Sequence, residues 1–271
     1  MERKRFFINV DKCSGCSLCI IACKDEHVGN TYSPWTRPQP ITGQFWIGIK
    51  AVERGRTPRV RMNYLPVHCQ HCSNAPCVKV CPEAAIKTRN DGLVWIDPAA
   101  CTACGLCAKA CPYGVIFLNS DSGIAQKCTG CAHRVDQGLA PRCVDICPHQ
   151  AIAFGSNADA GGDSAETYNP EYLTEPTVRW HGLAKPWIAG VVIDAGEDEA
   201  LANAVVTVVD LSDDGKVDIN TDSFGDFWLK NLQKDRTYRI EIKKEGYKSY
   251  CTAVTTRGDH DLGTVLLQKN E

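Results

Sequence analysis

Hydrophobic positions along this chain come in short runs of strand length, each bounded by turn residues. Arg5-Phe6-Phe7-Ile8-Asn9-Val10 predicts a strand near the start, and Ala151-Ile152-Ala153-Phe154 predicts a partner for it far along the sequence. Ala85-Ile86-Lys87-Thr88 and Leu93-Val94-Trp95-Ile96 flank Asn90-Asp91-Gly92, the signature of a tight hairpin. A second hairpin is predicted from Gln44–Lys50 and Val60–Tyr64. From Ile188 the pattern becomes wholly β. Seven short strands are expected there, at 190–193, 204–209, 216–219, 227–229, 238–242, 248–252 and 264–267, enough for a small sandwich. Between these regions, 155–164 is a Gly/Asp/Ser-rich break and reads as a flexible link. Residues 168–186 carry prolines and aromatics without strand or helix period, an extended strap lying on this chain's own domain or on a partner.

Composition changes this picture in one respect. The 271 residues are 44% hydrophobic and 23% charged, ordinary for a folded protein, but they include 17 cysteines. Sixteen of these lie between Cys13 and Cys147. The net charge of −2 gives no overall basic field for nucleic acid. The segment from Ile188 holds 16 acidic and 10 basic residues, a net −6 that leaves +4 on the remainder. No apolar run reaches the length of about 18 residues that a membrane span needs, and no signal-peptide core is visible at the start.

The sixteen cysteines form four runs of four. The first is Cys13, Cys16, Cys19, Cys23, spaced C-x2-C-x2-C-x3-C. The second is Cys69, Cys72, Cys77, Cys81, closed by Pro82. The third is Cys101, Cys104, Cys107, Cys111, closed by Pro112, with the ligand spacing of bacterial ferredoxins. The fourth is Cys128, Cys131, then Cys143, Cys147, closed by Pro148. Zinc sites use separated pairs, and disulfide scaffolds belong to small exported domains. Tight triplets with a remote fourth cysteine and a following proline point to [4Fe-4S] clusters. The x2 spacings let a looping backbone place three sulfurs around one face of a cluster and turn its N–H groups toward it. A short helix at Ala108-Lys109-Ala110 then carries the fourth sulfur to the neighbouring cluster.

That sharing rule predicts four ligand sets: Cys13, Cys16, Cys19, Cys147; Cys23, Cys128, Cys131, Cys143; Cys69, Cys72, Cys77, Cys111; and Cys81, Cys101, Cys104, Cys107. The second and third runs form one two-cluster unit, inserted inside another made by the first and fourth. The predicted fold is therefore α+β: two nested ferredoxin-like units with an inserted β-hairpin, then a C-terminal β-sandwich. The expected domains are 1–154, with 69–111 the inner unit and 24–68 an insert; 155–187, link and strap; and 188–271, the sandwich. The insert reads either as a cover over the clusters or as a docking surface for a redox partner.

Other residues have simpler readings. Cys251 is expected to be a half-buried strand thiol. His68, His71 and His133, beside the runs, are expected to give hydrogen bonds near clusters rather than bind a metal of their own. Lys79, Lys109, Lys127 and Arg134 are expected to offset cluster charge or steer a partner. The Asp-rich turns at 213–215 and 222–226 read as solvated turns in preference to calcium loops.

In order and spacing, the four runs resemble those of the iron–sulfur subunits of the dimethyl-sulfoxide-reductase family of molybdopterin oxidoreductases. The resemblance covers about Arg5 to Phe154. It implies four [4Fe-4S] clusters, no catalytic residue in this chain, and a large partner subunit that holds molybdenum and two molybdopterin guanine dinucleotides in a heterodimer or larger assembly. The C-terminal segment, with Thr221–Trp228, Leu232, Tyr238 and Gly246-Tyr247, looks like a carboxypeptidase-regulatory or Cna-B module. A subunit ending in such a module is similar to those of the pyrogallol–phloroglucinol transhydroxylase group and related aromatic hydroxylases. The implied substrate is then a trihydroxybenzene or another phenol, handled by transhydroxylation, hydroxylation or dehydroxylation, with a cytoplasmic location unless a signal-bearing partner exports the complex. Because all sixteen positions are kept, a complete wire fits net oxidation or reduction at least as well as a redox-neutral reaction. Three other readings stand beside it: clusters that act as structural staples in a docking scaffold, a free polyferredoxin, and the subunit of a sulfur, formate or sulfoxide reductase.

Overall fold

β1 (Arg5–Asn9) lies between two strands brought from more than 140 residues downstream. The computed structural model describes residues 3–156 and 165–270. Two units emerge, one of 1–52 with 63–183 and one of 53–62 with 184–271. No helix of the described residues is long and apolar enough to cross a membrane.

In the first unit, α1 (Leu18–His27) follows the first two cysteines and carries Cys19 and Cys23 on its inner face. A hairpin follows, β2 (Ile47–Arg56) with β3 (Arg59–His68). Both strands are longer than the sequence pattern predicted, and residues 53–62 group with the second unit. α2 (Pro76–Lys79) leads to the predicted hairpin, β4 (Ile86–Thr88) against β5 (Val94–Ile96), paired Ile86 to Ile96. α3 (Leu106–Ala110) leads to a hairpin that the sequence pattern did not predict, β6 (Phe117–Asn119) against β7 (Ile124–Gln126). Its turn, Asn119 to Gly123, has the residues such turns need: the Asn119 carboxamide takes the N–H groups of Asp121 and Ser122. α4 (Ala132–Val135), α5 (Arg142–Asp145) and β8 (Ile152–Gly155) complete the fourth run.

β8 pairs antiparallel with β1, Ile8 opposite Ile152, as the two end segments predicted. β9 (Arg179–His181) adds a parallel strand on the other edge. The strap is thus partly strand, and it lies on this chain. The N–H groups of Ser73 and Asn74 donate to Glu175 and Thr174, and Trp180 Nε1 donates to Gln70 Oε1 at 3.1 Å. Period-two burial puts Phe6, Ile8 and Trp180 in the core, each at most 1% exposed. Part of the predicted flexible link, 157–164, lies outside the described residues.

Both cores of this unit include cysteines. Cys19, Cys23 and Cys143 pack with Phe6, Ile8 and Trp46; Cys77 and Cys107 pack with Ile86, Val94 and Ile116. α1 packs on α5, and α2 packs on α3. Helices of the first and fourth runs therefore meet each other, as do those of the second and third.

The second unit contains all seven predicted strands in two sheets. β10 (Ile188–Asp194) lies between β13 (Asp226–Leu229) and β16 (His260–Leu267). The other sheet runs β12 (Lys216–Asn220), β11 (Val205–Asp210), β14 (Thr237–Lys243), β15 (Tyr250–Thr255). Alternate residues Val206, Val208, Ile240 and Ile242 are buried, and this core holds no cysteine. Cys251 is exposed on β15, not half-buried as expected, because its side of that edge strand faces away from the core. The acidic turns are closed by their own side chains: Asp213 takes the Gly215 N–H, and Asp222 takes those of Phe224 and Asp226. Residues 53–62 are tied into this unit by Arg59, which pairs with Asp226 and Asp261.

At the end of β10 the Asp194 carboxylate accepts the Tyr247 hydroxyl at 2.7 Å and the N–H groups of Gly196 and Glu197, with Lys269 at 3.4 Å. Foremost the Tyr247 bond, then these donors, hold its pKa down to about 2. A depressed carboxylate contributes stability that is present above the unfolded pKa of about 3.9 and is lost as pH falls through the folded value. Asp194→Asn is expected to flatten the fall in sandwich stability between pH about 4 and about 2, as measured by thermal unfolding followed by tryptophan fluorescence.

Candidate metal centres

The loop before α1 carries Cys13 and Cys16 around a tight bend, and Cys19 follows on the first turn of the helix. Gly15 in the bend has φ +73°, and a Cβ on it would meet the Tyr64 ring at 2.6 Å, so only glycine fits. The fourth sulfur of the set comes from Cys147, after α5. These four cysteines, with Ile49, Pro66 and Ile152, line one pocket. Cys69, Cys72, Cys77 and Cys111 line a second, with Val94, Val115 and Ile116. Cys81, Cys101, Cys104 and Cys107 line a third. The remaining set, Cys23, Cys128, Cys131 and Cys143, gathers where α1 meets α5; there burial first, then Cys131 and Cys128, raise the pKa of Cys23, and burial first, then all three, raise that of Cys143. The structure therefore brings together each crossed quartet expected from the spacing.

Backbone N–H groups point at these sulfurs: Ala151 to Cys147 at 3.3 Å, Ala125 to Cys101 at 3.3 Å, Gly130 to Cys128 at 3.4 Å, His71 to Cys69 at 3.5 Å and Arg142 to Cys131 at 3.5 Å. Such donors stabilise negative charge on sulfur. Without a cation that charge is costly. Burial first, and the neighbouring sulfurs next, push Cys19 up to about 11 and both Cys77 and Cys128 up to about 12. The neighbours acting on Cys19 are Cys13, Cys147 and Cys16, its own quartet. Four soft sulfurs converging in a largely apolar pocket suit iron–sulfur chemistry and not a hard cation.

Burial grades the four sites. Cys16 and Cys104 are exposed, whereas Cys23, Cys131 and Cys143 are buried, as are Cys69 and Cys77. The quartets also adjoin in sequence: α1 joins Cys19 to Cys23, and α2 lies between Cys72 and Cys81 with Cys77 on it. Cys69 lies close enough to Cys128 to raise its pKa.

The neighbouring polar residues divide in their roles. His68 Nδ1 bonds the Cys69 carbonyl at 2.8 Å, and burial brings its pKa down to about 4. His71 is fully buried, and that burial, with Lys127 nearby, holds it neutral. His68, His71 and Cys128 offer ligand atoms within 4.8 Å of one another. His71 Nδ1 is already engaged by the Val94 N–H at 3.0 Å, and Cys128 belongs to its quartet, so this group serves hydrogen bonding. His133 stacks on Tyr32 and meets Glu26 at 3.0 Å, with Arg134 and Arg142 each 3.7 Å from that carboxylate. Burial opposes ionisation of Glu26, but His133 and Arg134 outweigh it and hold its pKa low. Of the four basic residues singled out in the sequence, Lys79 and Lys109 are exposed and Arg134 serves Glu26 and Asp145. Lys127 alone of the four meets a quartet sulfur. Sequence reasoning missed Glu26 and His27, whose ring bonds the Cys23 carbonyl at 2.8 Å; a polar pair one turn beyond Cys23 on α1 was the available signal.

Models of the 4Fe-4S dicluster domain match residues 12–85 and 60–157, and a carboxypeptidase regulatory-like domain matches 187–266. The chain is 33% identical to the pyrogallol hydroxytransferase small subunit of Pelobacter acidigallici, over 98% of this chain and all of that one. It is 36% identical to the iron–sulfur subunit of a putative dimethyl sulfoxide reductase of Halobacterium salinarum, over 62% of this chain and 71% of that protein. It is 37% identical to the electron transfer subunit of thiosulfate reductase of Salmonella typhi, over 53% of this chain and 71% of that one.

Proposed function

Since the protein belongs to the iron–sulfur subunits of the dimethyl-sulfoxide-reductase family, we propose that it conducts electrons for a large molybdopterin-binding partner acting on a trihydroxybenzene or a related phenol. Two dicluster domains imply four 4Fe-4S clusters, and electron transfer is the role of such subunits in molybdopterin oxidoreductases. The assignment of ligands to clusters is ours and follows the four thiol quartets. The observation that carries the reading is the crossing of those quartets, because each run holds two neighbouring sites at a fixed separation.

The protein's own residues divide the work. Sixteen thiolates hold and space the one-electron centres, and those centres, when bound, supply all of the redox chemistry. The apolar walls, such as Ile49, Val94 and Ile116, exclude water from the sites, while the backbone N–H groups stabilise charge on sulfur. Exposed Cys16 and Cys104 place the two termini of the conduit at the surface of the first unit. Adjacency along α1, across Cys128 and Cys69, and along α2 orders the four sites into a single line between them.

What supports a phenol is the extent of likeness. The pyrogallol hydroxytransferase small subunit matches essentially all of this chain, including the acidic β unit, whereas the sulfoxide and thiosulfate reductase relatives match 62% and 53% of it. The test is anaerobic purification with any associated large subunit, followed by addition of a trihydroxybenzene and EPR. Conduction for this substrate class predicts cluster signals that appear or vanish within the catalytic cycle. Clusters that stay silent to substrate, yet are required for solubility, would instead make them staples in a scaffold. Purification as a lone chain would leave a free polyferredoxin.

A further inference from the structure

Two side chains change places between neighbouring quartets. His71, inside the second cysteine run, places Nε2 3.8 Å from Cys128 Sγ, while Lys127, which immediately precedes the fourth run, places Nζ 3.3 Å from Cys69 Sγ. Both pairs are bridged by β5. The Val94 N–H donates to His71 Nδ1 at 3.0 Å, and the Val94 carbonyl accepts from Lys127. Since a backbone amide can only donate, Nδ1 is the acceptor of the neutral ring, and the remaining proton sits on Nε2, facing Cys128. Lys127 is 2% exposed, and its third acceptor is the Cys128 carbonyl at 3.0 Å. Three acceptors around one nitrogen match the three donors of an ammonium; a neutral amine has two.

A lysine this enclosed is uncommon unless its charge is answered. Among the described residues no carboxylate pairs with it, and the anionic partner within reach is the Cys69 sulfur. We propose that Lys127 is a tuning residue of the conduit: its ammonium stabilises the added electron on the cluster held by Cys69, Cys72, Cys77 and Cys111 and raises that site's reduction potential. His71 gives the facing sulfur, Cys128, only a neutral N–H. The ammonium also meets the Cys128 carbonyl at 3.0 Å, but the sulfur it touches is Cys69, so its charge acts most strongly on the inner side of the junction between the inner and outer cluster pairs. The inner side is the favoured resting place for an electron crossing between them. This inference rests on the reading that the quartets hold clusters.

Two measurements test it. In otherwise unlabelled protein grown with lysine carrying nitrogen-15 at Nζ, pulsed EPR of the reduced wild type is expected to show nitrogen-15 coupling on one cluster, absent from Lys127→Met. In potentiometric titration, Lys127→Met is expected to shift the reduction equilibrium of that cluster toward the oxidised form at least tenfold, about 59 mV for one electron, with Lys127→Arg restoring most of it. Iron and sulfide analysis accompanies both. Protein with four clusters, no nitrogen-15 coupling and unmoved potentials overturns the tuning role and leaves the conduit standing. Wild-type protein without iron overturns the conduit itself. Where Lys127→Met fails to assemble, the labelled wild type decides alone.

Discussion

Cys143→Ala is expected to lower the iron content of anaerobically purified protein by a quarter, from four cubane clusters to three, and to stop electrons passing from one end of the conduit to the other. Cys143 is 7% exposed and packs in the core of the first unit beside Cys19, Cys23 and Phe6. Its quartet, with Cys23, Cys128 and Cys131, is one of the two interior sites, so no surface thiol or water is placed to take over the fourth position. Losing an interior site leaves a gap that the remaining three sites cannot close, whereas Cys16→Ala at the exposed end would shorten the line without dividing it. The measurement is iron and labile sulfide per chain, together with EPR of the clusters still reducible from each side. Full iron content in Cys143→Ala, or unimpaired transfer with three clusters, would contradict the assigned order.

Removing iron from the intact protein with a chelator under reducing, anaerobic conditions is expected to unfold the first unit entirely and to leave the second folded. The reason lies in what each core is made of. Both cores of the first unit include quartet cysteines, and its helices other than α1 are only four or five residues long. Such helices have no stability of their own. Binding of the metal is therefore coupled to folding, as in other small metal-centred domains. With iron gone, the remaining thiols sit in apolar pockets where burial pushes Cys72 and Cys131 up to about 11, and they are left as uncharged groups lining empty space. The second unit has a core of Ile188, Val206, Ile240 and Leu267 among others, with no cysteine in it. Hydrogen exchange followed by mass spectrometry reads the outcome by segment. Protection is expected to vanish in β1, β8 and α1 and to persist in β11 and β14. Retention of protection in β1 and β8 after complete iron loss would show that the clusters are passengers in a preformed fold.

Much of the architecture was legible because its signals are local or covalent. Alternating apolar residues placed β1, the β4–β5 hairpin and the seven strands of the second unit, since period two commits one face of each to a core. Where no alternation exists, the reading failed for a physical reason. Arg179–His181 has strand geometry only because β1 offers it an open edge, and nothing within three residues encodes that pairing. The β6–β7 hairpin was overlooked although its Asn-Ser-Asp-Ser-Gly turn was present between Phe117–Asn119 and Ile124–Gln126. The insert proved to be two ten-residue strands, longer than predicted, and their charged outer portions carry no apolar signal. Arg59 there is held by Asp226 and Asp261, more than 160 residues away.

The sequence by itself determined where the sixteen thiols lie, in four tight runs closed three times by proline, a pattern that points to cubane clusters because short spacers limit where each sulfur can reach. Only the tertiary structure decided the environment of those sulfurs. Lys127 and Cys69 are 58 residues apart, and His71 and Cys128 are 57 apart. Their exchange across the junction depends on β5 presenting both the amide and the carbonyl of Val94 at one point. Contacts of that kind are made by packing distant loops together, and no local pattern of residue types specifies them.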